Sequence, residues 1–298
     1  MLATKRELLG LGLSLGFGAG ASLIAGPALA QTAMTANPPP GRRAPRDIPN
    51  RKAKTSVLFK TPWGYPNAIA VAPEGLWIGE QKEGRNAAPG SDPREAAWLT
   101  DWNGKLLKTV MTESKNTSGM AYGDGCVWMG ANAAPEGIFQ TDMNSRTVSH
   151  RQIPLGPAEN GGGCHGLLWN EGKLWIAALR LRGILRVDPK SWTPEFFIPV
   201  NLPEGRQRLH GIAWDNGAIW IVTGNDSKGF ADGKPGLAKY DAATGELLET
   251  VDLLPGSSDP HGLAMYNGSL ISCDAGLHPG WPNNDSPTTK TIFRIDLV

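Results

Sequence analysis

Apolar and polar positions from Asn67 onward fall into one repeated pattern: a short apolar strand, a tight glycine turn, and a second strand. The copies read "NAIAVAPEGLWIGE" from Asn67, "SGMAYGDGCVWMGA" from Ser118, "HGLLWNEGKLWIAA" from His165, "HGIAWDNGAIWIVT" from His210 and "HGLAMYNGSLISCD" from His261. They align without a gap, 51, 47, 45 and 51 residues apart, with turn glycines at Gly75, Gly125, Gly172, Gly217 and Gly268. A third strand follows in each copy and ends in aspartate, at Asp101, Asp142, Asp188, Asp241 and Asp296. Such carboxylates accept backbone N–H bonds two residues on, so they read as turn caps rather than catalysts. Fourth strands fit "GKLLKTVM", "RTVSHRQI", "TPEFFIPV" and "ELLETVDL". The last copy reaches Val298 after three strands, and a lone β-rich strand, "TSVLFKT" at Thr55 to Thr61, precedes the first.

Pairing that lone strand with the last copy closes the array and removes its open edges. The expected fold is all-β: a five-bladed β-propeller of four-stranded antiparallel sheets over residues 55–298, its last blade closed by the N-terminal strand. Trp77, Trp128, Trp175 and Trp220 recur once per copy in the second strand and are expected between neighbouring sheets. In such a blade the start of the first strand and the end of the second share one face of the disc.

Composition narrows the class without naming a chemistry. A net charge of +1, with 19% charged and 40% hydrophobic residues, points away from nucleic acid, a polybasic membrane surface and disorder. The 38 glycines, 24 prolines and eleven tryptophans suit frequent turns between short strands. Residues 1–30 carry Lys5 and Arg6, a glycine-rich apolar run and a closing Ala28-Leu29-Ala30, which predicts a cleaved export signal rather than an anchor. The opening "TKRELLGLG" resembles a twin-arginine leader with lysine in place of the first arginine. Residues 31–54 read as a proline-rich, basic linker. The expectation is a periplasmic or secreted monomer that acts on a small molecule, with no membrane span after cleavage. Cys126, Cys164 and Cys273 leave room for one disulfide of unassigned pairing, or for three small buried residues.

Three of the five histidines share one frame position, each followed by glycine: His165, His210 and His261. Asn67 and Ser118 hold that position in the first two copies. The second strands end at Glu80 in the first copy and Asp274 in the last, which become neighbours on closure. The expectation is a divalent metal (zinc, iron, magnesium or manganese) held by His165, His210 and His261, with positions left open for water or substrate. Glu80 or Asp274 would act as base, with His210 and His261 in the catalytic set. Asn67, Ser118, Arg180, Asn225 and Trp281 are the expected substrate contacts, the last two on long loops. His278 is a further loop candidate, and His150 lies on a fourth strand at the surface. The plainer alternative makes His-Gly a duplicated structural element, its glycine admitting close approach of strands.

The motifs "PHGLAM", "LHGIAW" and the "LWI" second strands resemble the virginiamycin B (streptogramin) lyase group and, more distantly, gluconolactonase-type and NHL-type propellers. That resemblance covers Asn67 to Val298 and implies histidines, an acidic residue and a divalent metal near the axis that open a cyclic ester. Its counterparts here are His210, His261 and one of Glu80 or Asp274. The lyase group has seven blades where five are counted here, so the substrate does not carry over. The expected activity is a metal-dependent lyase or hydrolase on an ester- or lactone-type small molecule, by elimination or by hydrolysis. The alternatives are a non-catalytic binding propeller of the cell envelope and metal-dependent redox chemistry.

Overall fold

The computed structural model describes residues 47–62, 64–81, 92–156, 163–202, 206, 208–224, 235–275 and 290–298. The expected export signal, most of the linker, and Asn225, His278 and Trp281 lie outside the described residues. All the regular structure among the described residues is β-strand. Three sheets are four-stranded, antiparallel and sequential in order. They comprise β2 (Pro66–Ala72), β3 (Gly75–Glu80), β4 (Glu95–Thr100) and β5 (Leu106–Thr112); β6 (Thr117–Gly123), β7 (Cys126–Ala131), β8 (Gly137–Asp142) and β9 (Thr147–Arg151); and β10 (Cys164–Asn170), β11 (Lys173–Ala178), β12 (Gly183–Val187) and β13 (Pro194–Pro199).

The remaining strands form one eight-stranded sheet. They are β1 (Asn50–Lys60), β14 (Ile212–Asp215), β15 (Ala218–Thr223), β16 (Gly236–Asp241), β17 (Leu247–Leu253), β18 (Leu263–Tyr266), β19 (Ser269–Asp274) and β20 (Thr291–Leu297). The lone strand pairs antiparallel with β20, so the N-terminal segment does complete the last repeat. It begins at Asn50, however, five residues before the expected Thr55, because Asn50 to Ala53 also pair in parallel with Thr250 to Leu253 of β17. Polar, basic residues hid this extension: Lys52 pairs with Asp252 at 2.6 Å, a surface contact that hydrophobic pattern does not record.

First strands β2, β6, β10, β14 and β18 touch in a closed cycle around an axis. Between consecutive repeats lie five buried apolar clusters, the last of which joins Ile271, Cys273 and Ile292 to Ile69, Leu76 and Ile78 across the closure. Each second-strand tryptophan packs on the following repeat, with ring separations of 6.0 Å for Trp77–Tyr122, 5.7 Å for Trp128–Trp169 and 5.9 Å for Trp175–Trp214. Turn chemistry also follows the sequence: Asp101 Oδ1 accepts the N–H of Asn103 and Lys105, each at 2.9 Å, and Asp142, Asp188 and Asp241 do the same. All three cysteines are free and buried. No helix among the described residues is long and apolar enough to cross a membrane.

Candidate functional site

A first strand is the inner edge of its sheet, and its side chains ordinarily point between sheets rather than into the axis. At the shared frame position the ladder breaks. Register shifts isolate Asn67 between Pro66 and Ala68, Ser118 between Thr117 and Gly119, and His165 between Cys164 and Gly166. In the fourth repeat both His210 and Gly211 bond to Val222, again two residues against one. A bulge of this kind re-aims a side chain, and here it turns one polar group per repeat toward the axis. The result is a collar of Asn67, Ser118, His165, His210 and His261.

The following residue is glycine for a steric reason. A Cβ on Gly211 would lie 2.4 Å from Leu263 N and 2.5 Å from His261 O, and one on Gly166 would lie 2.4 Å from His210 O. Neighbouring first strands come so close here that Gly211 N–H bonds to His261 O at 2.9 Å. Both readings of the His-Gly pair therefore apply, the glycine to packing and the histidine to the collar.

Within the collar the three imidazoles form a ladder, with ring centres 4.8 Å apart for His165–His210 and 4.7 Å for His210–His261. Asn67 Nδ2 donates to Ser118 Oγ and to Thr117 O, each at 3.0 Å. His210 Nδ1 lies 3.1 Å from His261 O. A carbonyl only accepts, so Nδ1 carries the proton and Nε2 keeps its lone pair. Burial first, and then the nearby Arg208, His261 and His165, hold the His210 imidazole well below its ordinary range, while the bond to the carbonyl pulls the other way. His210 is thus neutral at pH 7.

Two residues missed by sequence reasoning sit directly above the ladder. Arg208 and Asp259 each lie two residues before a collar histidine, and Arg208 Nη1 meets Asp259 Oδ1 at 2.9 Å with side chains only 1% and 4% exposed. Asp259 Oδ2 also lies 3.3 Å from His261 Nε2, within ion-pair range. Opposite charges two places upstream of His210 and His261 were the available signal. Glu95 is a third omission: its carboxylate accepts the N–H of Asn116 and Thr117 at 2.8 and 2.9 Å and so fixes the entry to β6.

The predicted acids support backbone. Glu80 Oε2 accepts the Ala96 N–H at 3.0 Å, on the side of its third strand, and Asp274 Oδ2 accepts the Asp259 N–H at 3.2 Å. Arg180 is ion-paired with Glu136 near the rim. His150 is exposed, stacked on Phe139 with ring centres 4.1 Å apart.

Among the described residues no three His, Cys, Asp or Glu side chains are set to hold a metal ion. Asp259 and His261 approach as a pair, whereas His210 has its Nδ1 turned to a carbonyl. The carbonyl on Nδ1 leaves Nε2 as the His210 nitrogen that would face a metal or a substrate.

No protein-family model matches the chain, and no curated protein sequence matches it. Solved structures resemble it at low identity. Myxococcus xanthus glutaminyl cyclase is 11% identical over 84% of this chain and 99% of its own, with a TM-score of 0.54. The tail fiber of Staphylococcus aureus phage P68 is 13% identical over 82% of this chain and 52% of its own, at 0.52. Virginiamycin B lyase from Staphylococcus aureus is 15% identical over 83% of this chain and its whole length, at 0.46, too loose to carry an argument. Together with the closed cycle of first strands, these likenesses define the fold: the chain is a β-propeller.

Proposed function

We propose that the collar is the active site of an exported small-molecule lyase or hydrolase, built on five blades. The eight-stranded sheet counts as two of them, joined by the short parallel pairing of β1 with β17. One observation carries the catalytic reading. His261 is 7% exposed, yet its Nδ1 has no hydrogen-bond partner among the described residues, and its Nε2 meets the Asp259 carboxylate at 3.3 Å without hydrogen-bond geometry. Buried polar groups are normally satisfied, and such an exception marks a place that a ligand completes.

His261 is the proton acceptor in this reading. The Asp259 carboxylate 3.3 Å away stabilises the imidazolium that forms, and Arg208 keeps that carboxylate in place. His210, neutral and with a lone pair on Nε2, accepts a substrate hydrogen and orients it. Elimination takes the proton from carbon beside the carbonyl, and hydrolysis takes it from water; both need the same base. Glu80 and Asp274 hold the surrounding backbone.

Esters and lactones offered to the purified protein test the reading. His261→Ala is expected to lose about 10²–10⁴-fold in kcat with the fold intact, the usual contribution of a positioned base. An unchanged rate would sink it. Elemental analysis decides whether a metal takes part: stoichiometric zinc, iron, magnesium or manganese that His210→Ala abolishes would replace proton transfer by His261. The bond of Glu80 to Ala96, on the third-strand side, favours a second reading, a propeller that binds without turnover. Saturable binding with no product from any carbonyl compound would establish that alternative.

A further inference from the structure

The axis has a second mouth, and its chemistry is the opposite of the collar's. Four residues after the collar position the five repeats carry Val71, Tyr122, Trp169, Trp214 and Met265, all half-buried. The turns between first and second strands frame this mouth, and every one of them is described. Inside the rim lies a cavity of about 250 Å³ walled by aliphatic side chains of the same strands. Its inner end is shut, because at Gly119, Gly166, Gly211 and Gly262 the first strands leave no room for water. The cavity is therefore blind, and a ligand enters it only from the face away from the collar.

No described side chain that lines it carries a charge, so an ion entering would shed its water with nothing to replace it. Three consecutive repeats put aromatic rings on the rim, and packing holds two of them in place. Trp169 lies over the preceding repeat, where a Cβ on Gly123 would come 2.1 Å from its ring, and it stacks on Trp128 with planes 26° apart. Trp214 leans on Trp175 with ring centres 5.9 Å apart. Large flat surfaces fixed beforehand give a ligand contact area at little entropic cost. Polar contacts are available from the backbone: each first strand is the free edge of its sheet or of its half of the large sheet, so alternate residues turn N–H and C=O toward the axis.

We propose that this cavity binds a small, uncharged aromatic molecule of one or two fused rings with a polar group on its edge. An apolar cavity of about 150 Å³ holds benzene, so the volume here has room for a second ring. It falls just short of the roughly 300–1,000 Å³ that larger ligands occupy. The site lies apart from the collar and stands whether or not the collar is catalytic.

Indole, cyclohexanol and indole-2-carboxylate are the probes, each titrated into the full chain labelled with nitrogen-15 at tryptophan and followed by the side-chain N–H resonances. Indole is expected to shift the Trp169 and Trp214 signals and to saturate at a concentration at least tenfold below cyclohexanol, with the carboxylate leaving them in place. Trp214→Leu should weaken indole at least fivefold, read at Trp169, and His261→Ala should leave its binding unchanged. Ala264→Leu narrows the cavity from another wall and should weaken indole likewise, so the outcome does not hang on one variant. Equal saturation by cyclohexanol or the carboxylate, shifts confined to other tryptophans, or binding that both cavity variants leave intact would overturn the proposal. So would a dimer that Trp214→Leu converts to monomer, since a second copy of the chain would then cover the mouth.

Discussion

At the collar end of the axis each of the five repeats brings a polar residue, with register shifts in three of the first strands; at the other end the same strands present Ile69, Met120, Leu167, Ile212 and Leu263 around a cavity of about 250 Å³. Beyond these, Tyr122, Trp169 and Trp214 pack against the second-strand tryptophans of the preceding repeats. Between the ends, the level of Gly119, Gly166, Gly211 and Gly262 leaves no volume for water. The difference shows what a bulge does in this fold. Where the ladder is regular, side chains enter the spaces between sheets and apolar packing decides their identity. Where one residue is extra, its side chain leaves that space and polar chemistry becomes affordable.

The sharpest way to break the comparison is to remove charge from the collar end. Arg208 and Asp259 are buried as a pair, so either Arg208→Met or Asp259→Leu strips a buried charge of its opposite charge here and should cost about 3–5 kcal/mol in urea unfolding. The double substitution should cost much less than either single one. Singles that behave like surface substitutions would show that the pair is hydrated.

Next in size is the tier that separates the two ends. Gly211→Ala drives a methyl into His261 O and Leu263 N, and overpacking of this kind costs about 1–3 kcal/mol. The same change should also disturb the collar, because Gly211 N–H and His210 Nδ1 share the His261 carbonyl. A variant with wild-type stability would mean that the first strands can part there without cost.

Much of this contrast was legible in the chain. Five aligned copies, their turn glycines, their capping aspartates and their tryptophans all belong to local or repeated constraints, and pattern records those directly. The collar position was legible too, since three histidines in one frame stand out among five. What pattern could not supply was direction. An imidazole at a given place can turn either nitrogen to its neighbour or to a carbonyl, and the bulge and the hydrogen bond from His210 Nδ1 show which way that one ring turns. Arg208 and Asp259 escaped notice because their meaning lies in each other across 51 positions, a contact created where the fifth repeat packs on the fourth. Glu80 and Asp274 read as bases because strand ends near an axis are suggestive places, and pattern did not record that backbone N–H groups at those same ends also bond their carboxylates.

The smallest expected effect is a pH dependence that belongs to the collar end alone. His210 is held neutral in the folded state and titrates near 6.5 when unfolded, so below that pH the unfolded chain binds a proton that the folded chain refuses. Stability is then complete above about pH 6.5 and falls as the pH drops, by at most about 1.4 kcal/mol per pH unit for one group. Asp142 and Asp241 lie lower: backbone N–H bonds from Arg146 and Thr244, respectively, hold their carboxyl groups below the ordinary range, so what they contribute is lost only as the pH falls below about 4. The two windows can therefore be told apart by urea midpoints measured between pH 7.5 and 4.5. His210→Gln should flatten that interval, and Trp214→Phe, at the other end of the axis, should leave its slope unchanged. A slope that survives His210→Gln would mean that the proton enters elsewhere, and the separation of a titrating end from an inert one would fail.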